Sequence, residues 1–152
     1  LIVFGGKDPN NLGDRYFKIL NKIKLKKIFI LNNALYKKYI KKKDTYNIIK
    51  PVKGQKEFLK ILNESKMYIS TPSNIMFEAY SLNIPGIVIP TQNRQNIMGQ
   101  TFQKMKIVKS LPIFTKLKED MVKKELKILK NIKLKFNIKK AIQMQNRIIK
   151  NL

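Results

Sequence analysis

The chemistry this chain offers is concentrated between Met67 and Glu78, where an apolar run breaks into small polar residues and then resumes. Ser70, Thr71 and Ser73 are placed to cap a first helical turn. Unpaired backbone N–H groups and the positive end of the helix dipole favour an anion such as a phosphate there. Glu78 follows one to two turns in, stacked above Asn74 at i−4. Its two carboxylate oxygens suit the two hydroxyls of a vicinal diol such as ribose. The plain alternative is capping by the hydroxyls and a solvated stripe through Asn74, Glu78 and Ser81. Against that stripe, Ile75, Met76, Phe77, Ala79, Tyr80 and Leu82 make the segment strongly apolar, so the glutamate needs solvent at a crevice or a hydrogen-bonding partner.

Two further segments carry candidate residues. Gly5 and Gly6 let the backbone turn tightly and approach a ligand, although they form neither a GxGxxG nor a GK[ST] signature. Asp8, before Pro9, reads as a turn residue. Asn93, Arg94 and Gln95 sit in a polar loop after an apolar run. Their amides suit sugar hydroxyls or an acetamido group and the guanidinium a phosphate, with ordinary loop and capping chemistry as the alternative. There is no histidine and no cysteine, hence no usual neutral-pH base, thiolate nucleophile, imidazole ligand or disulfide. We therefore assign no catalytic residue, metal or cofactor to this chain, and an enzyme built on it draws part of its chemistry from elsewhere.

The elements that position these residues alternate. Apolar runs predict strands over 1–4, 28–31, 46–49, 67–70, 86–89 and, more briefly, 107–108. Helical spacing predicts helices over 12–24, with Asn10 or Asn11 placed to cap, then over 34–43, 55–65, 73–82 and 96–104. Lysine-rich helix-like segments follow over 116–130 and 137–150. Such alternation implies an α/β, Rossmann-like three-layer domain with a mostly parallel sheet, a single domain over 1–152. In the common order 3-2-1-4-5-6, direction reverses between the first and fourth strands. The Gly5-Gly6 loop and the Ser70-to-Ser73 turn then flank one crevice.

The formal charge is +24, from 33 basic and 9 acidic residues. Only Arg15, Arg94 and Arg147 are arginines, and the lysines are spread along the chain. A solvated lysine surface is the first reading and an anionic membrane surface the second. Nucleic acid is disfavoured, because base readout and bidentate phosphate clamps favour arginine. No apolar run reaches the ~20 residues of a membrane-spanning helix, so the expected location is cytoplasmic. Leu1 opens inside an apolar run too short for a signal-peptide core, which reads as a segment of a longer protein.

In order and spacing, Phe4-Gly-Gly-Lys-Asp8, Tyr68-Ile-Ser-Thr-Pro-Ser-Asn-Ile-Met-Phe-Glu-Ala79, Asn83-Ile-Pro-Gly-Ile-Val-Ile-Pro90 and Asn93-Arg-Gln95 resemble the C-terminal half of GT-B-fold nucleotide-sugar enzymes. The likeness is greatest to the UDP-sugar hydrolases of pseudaminic acid biosynthesis and the related spore-coat polysaccharide proteins. The glycosyltransferase that adds N-acetylglucosamine to the lipid-linked peptidoglycan precursor is the second relative. The resemblance spans roughly residues 1 to 105. It implies that Ser70 to Ser73 receive the diphosphate of a UDP-sugar, that Glu78 receives the ribose, and that Asn93 or Gln95 faces the sugar. It also implies a histidine base in an N-terminal domain that these residues do not include. The chain departs from the pattern at Lys7, at Thr71-Pro72 and at Arg94, which splits an Asn-Gln pair. Pro72 also removes one backbone donor from the turn. The expectation is half of a hydrolase that frees the sugar from UDP, with a glycosyltransferase half or a non-catalytic basic binding domain as alternatives.

Overall fold

Short apolar runs without polar alternation bury both faces of a strand, which suits a parallel sheet covered by helices on either side. The computed structural model describes residues 1–5, 8–51 and 54–129 and has that form. The strands are β1 (Ile2–Val3), β2 (Lys27–Leu31), β3 (Asn47–Pro51), β4 (Tyr68–Ser70), β5 (Gly86–Val88) and β6 (Val108–Ser110). They pair in parallel throughout, in the order β3-β2-β1-β4-β5-β6, as the sequence pattern anticipates.

The helices are α1 (Leu12–Leu20), α2 (Asn33–Tyr39), α3 (Gln55–Asn63), α4 (Ile75–Ser81), α5 (Asn93–Lys104) and α6 (Glu119–Leu129). Successive strand residues point to opposite faces, so the four inner strands β2, β1, β4 and β5 feed two cores. Ile2, Phe29, Ile69 and Ile87 pack with Leu12, Phe17 and Leu20 of α1, Leu35 and Tyr39 of α2 and Val122 of α6. On the other face, Val3, Ile30, Tyr68 and Val88 pack with Leu62 of α3, Met76 and Ala79 of α4 and Phe102 of α5. The result is three layers, with the sheet in the middle.

Several boundaries differ from the sequence pattern for local reasons. α1 ends at Leu20 rather than 24, because the buried Lys27 ammonium donates to the carbonyls of Ile23 and, at 2.7 Å, Leu25, holding 21–26 as a turn. The segment after α2 tightens into a 3-10 turn over Ile40–Lys42. Gly6 and the segment over 137–150 lie outside the described residues.

Candidate functional site

Parallel strands β1 and β4 are neighbours, with Ile2 opposite Ile69, and they leave the sheet in opposite directions of strand order. β1 leads to α1 on one face and β4 to α4 on the other, so a gap opens at their carboxyl ends. There lies a crevice of about 420 Å³ lined by Val3, Gly5, Ser70, Thr71, Ser73, Ile75 and Glu78, and from the start of α3 by Gly54, Gln55 and Phe58. Two loops more than sixty residues apart in sequence thus share one wall.

The β1 side of the crevice is set by backbone geometry. Gly5 has φ of 80°, a left-handed conformation in which a side chain is strained even though a Cβ there would meet nothing within 4 Å. Asp8 then fixes the start of α1. Its Oδ1 accepts from the N–H of Leu12 at 2.9 Å and its Oδ2 from Gly13 at 2.7 Å. Burial pushes the Asp8 carboxyl up, against the pull of the Gly13 and Leu12 N–H groups, and the nearby Asp14 charge adds to the rise. Asn11 occupies the position before α1 in a left-handed conformation and makes no side-chain cap, so the expected capping by Asn10 or Asn11 falls to Asp8.

The β4 side differs from expectation in its hydrogen bonds. Ser70 Oγ and Ser73 Oγ both donate to the carbonyl of Thr71, at 3.0 and 3.3 Å, rather than capping α4. Asn74 holds the cap position and makes no side-chain cap bond either. Among the described residues, no hydrogen bond takes up the N–H groups of Ser73, Asn74 or Ile75. Pro72 is buried and packs over Gly99 of α5, which explains a proline at this turn: it ties the turn to the neighbouring helix.

Glu78 is half-buried, and no hydrogen bond or ion pair among the described residues engages its carboxylate. It is the one charged side chain among the described residues lining the crevice. An anion bound here would therefore rest on hydroxyls and backbone N–H groups, while the carboxylate can accept from hydroxyl donors. Phe58 adds a flat apolar wall. The helical pattern marks Phe58 only as an inner-face residue. The signal that places it here is the crossover of α3 from β3 to β4, which starts at the carboxyl edge of the sheet.

Asn93, Arg94 and Gln95 are not loop residues but the first turn of α5, at the carboxyl end of β5. Asn93 and Arg94 are exposed, and none of the three lines the crevice. Gln95 is used locally: its Oε1 accepts from Thr91 N at 2.9 Å and from Thr91 Oγ1 at 2.8 Å. Asn74 is exposed and does not line the crevice.

No protein-family model and no curated protein matches this chain. The functional reading rests on the geometry of the crevice. Among the described residues, no group of three His, Cys, Asp or Glu could hold a metal ion, and no helix is long and apolar enough to cross a membrane.

Proposed function

We propose that the crevice between β1 and β4 binds the nucleotide part of a UDP-sugar, and that this chain is the nucleotide-binding half of a two-domain nucleotide-sugar hydrolase of the GT-B type. One observation carries the reading. At the carboxyl ends of the two strands where sheet order reverses, an uncommitted carboxylate, two serines and a threonine, and a left-handed glycine line the same crevice. Sheets of this order bind ligands at that point.

In this reading the Glu78 carboxylate accepts from the ribose hydroxyls. The diphosphate lies at the start of α4, where the N–H groups of Ser73, Asn74 and Ile75 are free to donate and Ser73 Oγ can turn from the Thr71 carbonyl. The Phe58 ring faces the uracil. Asn93 and Arg94, exposed one strand further along, are available to a sugar extending past β5, whereas Gln95 is held by its bonds to Thr91. Water attacking the anomeric carbon releases the sugar from UDP. With no histidine in these 152 residues, the base that activates this water comes from the other domain.

Calorimetric titration with UDP tests the reading, with binding expected at millimolar concentration or tighter. Hydrogen bonds to a charged group contribute about 1.5–3 kcal/mol, so Glu78→Ala is expected to weaken UDP by about 10- to 100-fold. It should leave the affinity for 2′,3′-dideoxy-UDP nearly unchanged. Absence of any UDP binding, or an equal loss for the dideoxy analogue, counts against a ribose contact at Glu78. In the assembled two-domain enzyme, free sugar released without an acceptor distinguishes hydrolysis from transfer.

A further inference from the structure

The opposite edge of the sheet carries a second surface. β2 and β3 start in register, Lys27 opposite Asn47, so the loops that lead into them emerge side by side. They are stitched together: Lys27 N donates to Tyr46 O at 2.6 Å, and Asn47 Nδ2 donates to Asn21 O at 3.0 Å. Asp44 braces the second loop, accepting from the N–H groups of Tyr46 and Asn47 and from Asn47 Nδ2. The buried Lys27 ammonium braces the first through the carbonyls of Ile23 and Leu25. Two loops with this many ties form one rigid platform.

What the platform shows to solvent is unusual in two respects. Lys22, Lys24, Lys26, Lys41, Lys42 and Lys43 are all exposed, against the single carboxylate of Asp44. Between them stand Leu25, 40% exposed, and Tyr46, 43% exposed. Four large hydrophobic side chains are exposed among the described residues, and two of them lie here, on adjoining loops. Single exposed apolar side chains are ordinary on a protein surface, but here two stand on hydrogen-bonded loops inside one lysine cluster. The platform also lies a strand's length, roughly 15 Å, from the crevice, at the amino ends of strands whose neighbours open the crevice at their carboxyl ends.

We infer that this platform docks on an anionic lipid bilayer, the lysines meeting lipid phosphates while Leu25 and Tyr46 enter the headgroup region. Charge complementarity and the exposed apolar pair favour a bilayer over the other polyanion of comparable charge, a nucleic acid. Nucleic-acid contact is built on arginine and on aromatic side chains free to stack on bases, and the platform has lysine alone and one tyrosine beside a leucine. Aromatic side chains with a polar tip suit the membrane interface, and each lysine near an anionic surface contributes about a five-fold factor in partitioning. Docking by this edge leaves the crevice facing solvent. The inference does not depend on what the crevice binds.

The chain has no tryptophan, so Leu25→Trp in the full chain is a single reporter. Its emission is expected to shift to the blue on vesicles of phosphatidylglycerol and phosphatidylcholine, and to stay unchanged on phosphatidylcholine alone. In sedimentation with the anionic vesicles, Lys22→Gln, Lys24→Gln and Lys26→Gln together should lower partitioning by about 100-fold. The same charge change at the exposed Lys123, Lys124 and Lys127 of α6 should have a much smaller effect. Leu25→Ser with Tyr46→Ser, which leaves the charge intact, should weaken binding at 0.15 M salt. Circular dichroism of each variant confirms that it is folded. No blue shift, equal losses from the two lysine triples, or tighter binding of a uridine oligonucleotide than of vesicles through the same lysines would overturn the inference.

Discussion

Gln95 reaches back over the first turn of α5 to take both the N–H and the hydroxyl of Thr91, at 2.9 and 2.8 Å. A glutamine in the third helical position acts here much as it does in a capping box, but on Thr91, one residue before the cap position Gln92. Gln95→Ala leaves the Thr91 N–H without its acceptor, with an expected loss of about 1 kcal/mol in urea unfolding. If Gln95 also contacted the sugar, the variant would lose affinity for UDP-sugar beyond its affinity for UDP. The structure leads us to expect the two ligands to be affected alike, and paired titrations of UDP and UDP-N-acetylglucosamine check this.

Asp8 and Gly13 form the matching pair at the β1 edge. A Cβ on Gly13 would stand 3.0 Å from Asp8 Oδ2 and 2.9 Å from Leu35 Cδ1, so any side chain there would crowd the carboxylate on its seat. Asp8→Ala strands two N–H groups and is expected to cost about 1–2 kcal/mol, measured by chemical denaturation. Asp8→Asn keeps one acceptor and should recover part of the loss. Gly13→Ala, which pushes against the acceptor, should destabilise by a similar amount.

Tyr68 lies across Gly86, where an added Cβ would come within 2.2 Å of its ring. Gly86→Ala must displace that ring and is expected to cost about 1–3 kcal/mol. The Tyr68 hydroxyl is buried with no hydrogen-bond partner among the described residues, and burial raises its pKa far above the usual tyrosine range. Tyr68→Phe removes an unsatisfied polar atom and keeps the ring. The expected outcome is a melting temperature equal to or above that of the parent protein.

The sheet was legible because its strands are continuous apolar runs such as Ile28 to Leu31, and because helical spacing separates them. The crevice was legible in Glu78, a carboxylate isolated in an apolar helix, and in Ser70, which ends a buried strand, with Thr71 next to it. What escaped depends on distance rather than pattern. Nothing in Asp8-Pro-Asn-Asn marks Asp8 as the cap of α1, because that role requires Asn11 to take a left-handed conformation at φ 52°. Gln95 reads as a free amide until Thr91 is seen to need an acceptor. Ser70 and Ser73 read as caps, yet both hydroxyls donate to the Thr71 carbonyl instead.

Asp14 offers a test by pH. Its buried carboxylate accepts from Lys18 at 2.7 Å, from Lys38 at 2.6 Å and from the hydroxyl of Tyr39. Hydrogen bonds from Lys18, then Lys38 and Tyr39, hold its pKa well below the usual carboxylate range, more than offsetting the cost of burial. A folded-state pKa below the unfolded value of about 3.9 means that the stabilisation is fully present above that value and is lost as pH falls through the folded one. Asp14→Asn keeps an acceptor for Tyr39 and loses the charge. The lysines are more than half exposed, so solvent screening limits the cost at neutral pH to about 1–2 kcal/mol. The difference in unfolding free energy between the parent and Asp14→Asn should be flat from pH 7 to about 5 and should shrink below about pH 4. A gap that grows as the solution is acidified would show that Asp14 is not held ionised by these partners.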